Sequence, residues 1–181
     1  VYEEMRDRLV GAVEGLQVVD PEDEACLVGP VISYSSRAAA LDAIEKGGGR
    51  IITGGGRLDA EGFYLAPTLV EVDDPGSLLA REEVFAPVTA VLRAESADEA
   101  LRVANDVRYG LVAAVFTRDL ERGLTWASRL EAGLIRVNAP TSGVDFHAPF
   151  GGSKASSIGP KEQGLAAREF YTETRTILVN P

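Results

Sequence analysis

The amino-acid sequence predicts an α/β domain built on a largely parallel sheet with flanking helices. Short apolar and β-branched runs such as Leu134–Val137 are typical of strands that are buried on both faces of a sheet. Longer segments between these runs repeat their apolar residues at helical spacing. Strands and helices therefore alternate from Arg50 to Val137, which is the order that parallel strands joined by helices require.

The elements of the first half are predicted from this spacing and from turn residues. In order, they are a helix over 1–16, a second helix that stops at Gly47–Gly49, a strand over Arg50–Thr53, an extended segment over Phe63–Val70, and a strand over Val84–Leu92 that Pro87 interrupts. Ser35 or Ser36 is expected to cap the second helix. The inner face of that helix is predicted to carry Ala38, Leu41 and Ile44.

In the second half, Ser96 and Glu99 form a capping box, which predicts a helix that ends near Val107. The elements that follow are a strand over Val112–Phe116, a helix marked by Leu120, Leu124, Ala127 and Leu130 and closed by Gly133, a strand over Leu134–Val137, a helical segment over Glu162–Phe170 and a final strand over Arg175–Val179. Residues 138–161 form a polar, glycine-rich segment. A loop of that length inside a compact domain is usually functional.

The composition argues against several kinds of partner. A net charge of −10 disfavours non-specific binding to nucleic acid or to anionic membranes. No apolar run approaches the ~20 residues that span a bilayer, so we predict no membrane association. Cys26 is the single cysteine, which excludes an internal disulfide and indicates a reducing compartment; we predict a cytoplasmic protein. The acidic residues crowded into residues 1–24 are interpreted as a solvated face.

The residues that commonly carry chemistry are sparse in this chain. His147 is the only histidine, and no other ligands stand at a recognisable spacing for a triad or a zinc site. Cys26 has acidic neighbours, which disfavour the thiolate that a nucleophile requires. The glycine runs 47–49 and 54–56 lack the strand-to-helix order of a phosphate cradle and are interpreted as turns. We therefore predict no catalytic residue and no metal site.

Two loops offer groups that suit a binding site. In Glu82–Pro87, Glu83 and Phe85 stand two residues apart and would project to one face of an extended segment. A carboxylate can accept hydrogen bonds from both hydroxyls of a ribose while a ring packs against the sugar; the alternative is a plain helix-to-strand junction. The segment 138–154 offers polar groups and an apolar wall among glycines, as a pocket requires.

Taken in order, the sequence motifs resemble the C-terminal part of the catalytic domain of NAD(P)-dependent aldehyde dehydrogenases. The matching residues are Gly62–Thr68, Glu82–Pro87, Asn105, Tyr109–Leu111, Phe116 with Thr117, Gly133–Asn138, Pro149–Lys154, Glu162 and Thr176. The resemblance covers essentially the whole chain in register. It implies that residues 1–173 belong to the catalytic domain and that residues 174–181 are a terminal oligomerisation strand, so a homo-oligomer is expected.

The family reaction that the resemblance implies has two steps. A cysteine thiolate attacks the aldehyde and hydride passes to NAD or NADP; a water activated by a glutamate then releases the carboxylate. By motif match, Glu83 would bind the nicotinamide ribose hydroxyls and Phe85 would pack beside that sugar. The residues implied to line the aldehyde pocket or its variable loop are Phe150, Thr141, Ser142, Val144 and Phe146.

The same resemblance implies that the family's chemical groups are missing here. The nucleophilic cysteine, the general-base glutamate and the dinucleotide-binding fold would all lie before Val1, and Cys26 does not match the nucleophile. We therefore expect this chain alone to be inactive and to bind NAD or NADP weakly. The alternative is a non-catalytic interaction module that kept the fold and lost the chemistry, and the coding sequence before Val1 separates the two.

The sequence departs from the common family pattern at two positions. Ala86 stands where glycine is usual, and if that position needs a positive φ, alanine costs about 1 kcal/mol. Ser157 replaces a frequent glycine. Together with Gly143–His147 and Gly159–Gly164, this favours the 2-oxoglutarate semialdehyde (2,5-dioxovalerate) dehydrogenase branch. The expected substrate is a small aldehyde of that type, and both NAD and NADP stay open.

Overall fold

The computed structural model describes residues 1–180 of the chain, which fall into two compact units, Val1–Glu95 and a second that begins at Ser96. Helices and strands are interspersed through both units, which confirms the predicted α/β class. The sequence carried no signal for this subdivision. Among the described residues, no helix is long and apolar enough to cross a membrane.

The first unit contains three helices and a three-stranded sheet. Its elements are α1 (Tyr2–Glu14), α2 (Tyr34–Lys46), β1 (Arg50–Thr53), β2 (Thr68–Val72), α3 (Leu78–Arg81) and β3 (Val88–Leu92). The strand order is β1-β2-β3. β1 runs antiparallel to β2, whereas β3 runs parallel to it, with Thr68 opposite Val88 and Val72 opposite Leu92.

The core of the first unit lies where β2 meets the helices. Val70, Val72 and Leu79 form a buried cluster, against which Val84 and Ala43 pack with other apolar side chains. A strand with alternating apolar and polar residues would bury only one of its faces. β2 is instead almost wholly buried, as expected of the central strand of a sheet that is covered on both faces.

A polar cluster ties α1 to this sheet. The Tyr2 hydroxyl and the Arg50 guanidinium both donate to the carboxylate of Glu71 on β2. Desolvation, followed by the bond to Glu71, raises the pKa of Tyr2 to about 12. The same two donors, Tyr2 first, hold the pKa of Glu71 below its ordinary value. The stability that Glu71 contributes is therefore present above its unfolded pKa and is lost as the pH falls through the folded pKa.

The second unit is built on two short strand pairs. Its elements are α4 (Ala97–Asn105), β4 (Tyr109–Gly110), β5 (Val112–Val115), α5 (Leu120–Ala127), β6 (Leu134–Val137), β7 (Ser153–Lys154), a 3-10 turn (Gly164–Ala166) and α6 (Ala167–Phe170). β5 and β6 are parallel, and β4 and β7 are antiparallel. Across the two units, the strand pairs β2–β3 and β5–β6 are parallel, whereas β1–β2 and β4–β7 are antiparallel. The strand arrangement is therefore mixed.

Several predicted elements are confirmed at their bounds, whereas two details of α2 are wrong. The strands Arg50–Thr53 and Leu134–Val137 occur as predicted, and Ser96 caps α4 by accepting from the Glu99 amide at 3.1 Å. The cap of α2 is Ser33 rather than Ser35 or Ser36, because the Ser36 amide donates to the Ser33 hydroxyl. The residues of α2 that are buried are Ala40 and Ile44; Ala38 is exposed.

The helix predicted from Leu120, Leu124, Ala127 and Leu130 is present as α5, but the first two of these residues do not face the core. Leu120 and Leu124 are 62% and 59% exposed, whereas Gly123 is buried. An added Cβ at Gly123 would lie 3.0 Å from side-chain atoms of Thr117 and Val137, so the missing side chain lets α5 approach β6 closely. The face that α5 turns to the core therefore carries Gly123 with the half-buried Trp126 and Ala127, and not Leu120 or Leu124.

The predicted final strand over Arg175–Val179 does not form within this chain. Ile177, Leu178 and Val179 are all exposed, and residues 172–180 belong to no regular element. A strand needs a neighbour that completes its backbone hydrogen bonds, and none of the described residues supplies one here. Pro181, the last residue of the predicted oligomerisation strand, lies outside the described residues. The helical segment predicted over Glu162–Phe170 is present only as the 3-10 turn and α6.

We expect Gly133→Ala to destabilise the second unit. The new Cβ would lie 1.9 Å from the Gly151 carbonyl oxygen and 2.6 Å from the Gly152 Cα, and backbone atoms cannot move aside cheaply. Overpacking costs about 1–3 kcal/mol or more, which urea denaturation followed by circular dichroism would measure. The matched control is Gly11→Ala, where a Cβ meets no atom within 4 Å and the substitution should stabilise the helix. Equal stability of Gly133→Ala and the unmodified chain would contradict this packing account.

Candidate functional site

The loop between α3 and β3 is short and held at both ends. At its start, the Glu82 amide donates to the Leu78 carbonyl at 2.8 Å and ends the helix. At its end, the Thr68 amide donates to the Pro87 carbonyl at 2.8 Å, which extends the pairing of β2 with β3 by one bond. Because the first and last residues are fixed, the residues between them have little conformational freedom.

Within this loop one side chain packs on the core while its two neighbours face solvent. Val84 packs against the buried cluster of the first unit, whereas Glu83 is exposed and Phe85 is 85% exposed. The packing of the partly buried Val84 therefore orients the loop so that the Glu83 carboxylate and the Phe85 ring are both exposed to solvent. This is the arrangement expected of a surface that binds a polar ligand with one flat face.

Phe85 adopts a backbone conformation that is rare for an aromatic residue. Its φ is +56°, in the left-handed region. The glycine-like position in this loop is therefore Phe85, and not Ala86, so the backbone cost that we considered for Ala86 does not arise there. Strain of this kind costs about 1–3 kcal/mol and is concentrated at functional sites.

The long loop of the second unit begins at an anchored asparagine. Asn138 has a φ of +55°, which asparagine tolerates better than most residues. Its side chain accepts from the Thr117 amide at 2.8 Å and donates to the Thr117 carbonyl at 2.9 Å. The Asn138 amide group is therefore occupied in joining the ends of β5 and β6, a structural task that the sequence analysis did not assign to it.

The tip of this loop carries the predicted variable-loop residues. Thr141, Ser142 and Phe146 are exposed, and Val144 is half-buried. The Phe146 ring lies 3.9 Å, between centroids, from the ring of His147.

A local hydrogen-bonded turn shapes the loop after Val144. The Asp145 carboxylate accepts from the backbone amide of His147 at 2.9 Å and contacts the Nδ1 of the same residue at 2.9 Å. These bonds, the backbone one first, hold the pKa of Asp145 below its ordinary value. His147 is exposed, as expected for a loop residue with its polar tip in water.

Phe150 occupies a different environment from the loop tip. Its amide and carbonyl pair with those of Glu162, at 2.6 and 2.8 Å, and its side chain is half-buried. It lines a cavity of about 240 Å³ together with Leu111, Gly151, Gly152, Ser156, Ser157, Pro160, Glu162 and Phe170. Of the five residues proposed for the aldehyde pocket, Phe150 lines this cavity; Thr141, Ser142, Val144 and Phe146 do not.

Sequence reasoning missed the part that Lys154 plays at the end of the Pro149–Lys154 motif. Its ammonium donates to the carbonyls of Asn105 and Val107 and pairs with Glu131. The Ser153 hydroxyl also donates to the Glu131 carbonyl, at 3.0 Å. A lysine in a glycine-rich run gives no local signal for such contacts, because the partners are distant in sequence.

Cys26 is half-buried, and its thiol contacts the Val19 carbonyl oxygen at 3.4 Å. Within residues 1–180, no three histidine, cysteine or acidic side chains are grouped as metal ligands.

Comparisons with known proteins identify the family of the chain. Residues 1–177 match the model of the aldehyde dehydrogenase family. The alpha-ketoglutaric semialdehyde dehydrogenase of Bacillus subtilis is 36% identical over all of this chain and 38% of its own length. The betaine aldehyde dehydrogenase of Rhizobium leguminosarum is 39% identical over 97% of this chain and 37% of its own length. The chain therefore spans under two fifths of the length of these relatives.

Solved structures give the same result for the fold. The crystal structure of a Mycobacterium tuberculosis aldehyde dehydrogenase complexed with NAD+ superposes with a TM-score of 0.91 at 33% identity. The superposition covers 99% of this chain and 38% of that protein.

Proposed function

Because this chain belongs to the aldehyde dehydrogenase family, we propose that it is the C-terminal part of an enzyme that oxidises an aldehyde to a carboxylate with NAD(P)+. The family match, which extends over residues 1–177, carries the proposal. The nucleophile, the general base and the dinucleotide-binding fold are expected in the remaining length of the whole protein. The chain itself is expected to supply binding surfaces and no bond chemistry.

We propose that the first unit contacts the nicotinamide ribose of the cofactor through Glu83 and Phe85. The ionised carboxylate of Glu83 is an acceptor only, which suits two ribose hydroxyls, and it is exposed. Phe85 has a positive φ, and its ring is 85% exposed. When bound, the dinucleotide accepts a hydride. The NAD+ complex of the Mycobacterium tuberculosis neighbour supports the assignment of the cofactor class.

The proposed substrate is an oxo-acid semialdehyde, with Phe150 as a wall of its pocket. The Bacillus subtilis relative is named for a substrate of this kind, and the half-buried Phe150 ring lines a cavity. The Rhizobium leguminosarum relative is named for betaine aldehyde, so these two aldehydes are the comparison that tests the preference. Thr141, Ser142, Val144 and Phe146 are proposed to shape that preference from the loop tip.

Membership of the aldehyde dehydrogenase family also leads us to propose that the whole protein is a homo-oligomer. The terminal segment carries Ile177, Leu178 and Val179, all exposed and apolar. A segment with these residues and no strand neighbour among residues 1–180 is suited to pair with a second copy.

The first test compares the whole protein with this chain. We expect the full-length protein to produce NADH or NADPH with a 2-oxo-acid semialdehyde, and the 181-residue chain to produce none. The reason is that Cys26 is the only thiol of the chain and lies away from the family's nucleophile position. Turnover by the chain that disappears in Cys26→Ser would contradict this reading. A full-length protein inactive with every aldehyde would favour the interaction module.

We expect Glu83→Gln in the full-length enzyme to weaken binding of NAD(P)+ and to slow hydride transfer. A neutral amide loses charge-assisted hydrogen bonds to the ribose, each worth about 1.5–3 kcal/mol. Cofactor titration and single-turnover kinetics would measure both effects. Glu61→Gln removes an exposed carboxylate from the same unit and serves as the matched control. Unchanged affinity and rate in Glu83→Gln would refute the assignment and leave Glu83 as a surface residue at a helix end.

Phe150→Ala should change the ranking of kcat/KM among aldehydes, because it removes one wall of the proposed pocket. The semialdehyde and betaine aldehyde are the substrates to compare. Leu101→Ala is the control, because Leu101 is a buried residue of α4 and its loss creates a cavity in the core. If Phe150→Ala behaved like Leu101→Ala, lowering kcat/KM equally for every aldehyde, Phe150 would be a core residue and not a specificity residue.

A further inference from the structure

The side chain of Lys154 joins separate segments of the second unit. Its Nζ donates to the carbonyl oxygens of Asn105 at 2.5 Å and Val107 at 3.2 Å. The same Nζ lies 2.8 Å from Oε2 of Glu131. The side chain of Lys154 is 22% exposed and that of Glu131 is 59% exposed, so the ion pair lies at the surface of the unit. A cation at the last carbonyls of a helix is favourable for both hydrogen bonding and the helix dipole.

Lys154 contacts a frame made of the end of α4, at Asn105, and the segment after α5, at Arg129 and Glu131. The parts of this frame are bonded to each other without Lys154. The Asn105 side chain donates to the Arg129 carbonyl at 2.9 Å and accepts from the Glu131 amide at 2.9 Å. The end of α4 is thereby fixed to the segment that follows α5. Lys154 adds a third segment, the returning end of the long loop, to a frame that is already formed.

The backbone at Lys154 is strained where this attachment is made. Its φ is +52°, a conformation that lysine rarely adopts. Tyr109 lies opposite Lys154 in the antiparallel pair of β4 with β7, and the Ala155 amide donates to the Arg108 carbonyl at 3.0 Å. A residue in such a conformation persists when the surrounding contacts hold it there. The ammonium contacts are the ones that depend on the lysine side chain.

Residues before and after Lys154 in the sequence line the same cavity as Phe150. Phe150, Gly151 and Gly152 precede it, and Ser156 and Ser157 follow it. Lys154 itself does not line the cavity; its ammonium is bonded to the end of α4. The lysine is thus attached to the frame at the middle of the segment that forms the cavity wall.

We propose that Lys154 is a positioning residue, which holds segment 150–157 and with it the Phe150 ring in the place where the aldehyde binds. This proposal rests on the proposed function for its catalytic consequence, but the anchoring of the segment can be measured on the chain alone. The competing explanation is a general contribution to stability, which would affect the whole second unit equally.

Hydrogen exchange of the 181-residue chain tests the anchoring directly. In Lys154→Met, we expect the amides of Phe150, Ala155 and Glu162 to exchange roughly tenfold faster or more, since a charge-assisted bond is lost. Amides of β5 and β6 should keep their protection. The control is Arg122→Met, which removes an exposed cation of α5 and should leave all of these amides unchanged. Equal acceleration in β5, β6 and the segment, or none in the segment, would overturn the proposal.

Kinetics of the full-length enzyme tests the consequence. Lys154→Met should raise the KM for the aldehyde by roughly tenfold with a smaller change in kcat, because the pocket wall is displaced. Lys154→Arg keeps a cation beside Glu131 and should recover part of the loss. A fall in kcat alone, with no recovery in Lys154→Arg, would overturn the positioning role. A parent protein without dehydrogenase activity would sink the proposed function, while the exchange experiment would still decide whether Lys154 anchors the segment.

Discussion

At Gly133 two backbone segments of the second unit approach so closely that no side chain fits between them. The Gly133 amide donates to the Gly110 carbonyl at 2.9 Å, and the Lys161 ammonium donates to the Gly133 carbonyl. This contact places the start of β6 against the Pro149–Lys154 motif. The pairing of β4 with β7, the cavity beside Phe150 and the attachment of Lys154 all depend on this approach, because a wider spacing would separate their partners.

The first unit uses a different device to present its candidate binding groups. Its sheet buries Val70 and Val72, and Val84 of the α3–β3 loop packs on the same cluster. Packing of this partly buried side chain in the middle of a short loop orients the neighbours on either side. The packing of Val84 therefore leaves Glu83 and Phe85 exposed. The positive φ of Phe85 is unfavourable for an aromatic residue, and the folding free energy of the unit offsets this cost.

The long loop of the second unit is anchored at both ends and freer at its tip. Asn138 and Lys154 both have left-handed backbones, and the side chain of each is bonded to a neighbouring element. Between them, the tip at Thr141–Phe146 makes mainly local contacts. A loop with fixed ends and a freer tip can change its tip sequence without loss of the fold, which suits a region proposed to set the choice of aldehyde.

The sequence by itself determined the α/β class, the family, the Ser96 cap and the bounds of the strands Arg50–Thr53 and Leu134–Val137. The class, the cap and the strand bounds follow from residue period and capping, which act over a few neighbouring residues. The family follows from the order of motifs along the chain. The assignments of Glu83, Phe85 and Phe150 also came from motif order and remain predictions. Tertiary structure alone decided that α5 buries Gly123 in place of Leu120 and Leu124, that Phe85 and not Ala86 has a positive φ, and that Lys154 reaches a carbonyl 49 residues away. Close backbone approach and ion pairing involve segments that are distant in the sequence and meet only in the folded protein, so no local sequence pattern predicts them.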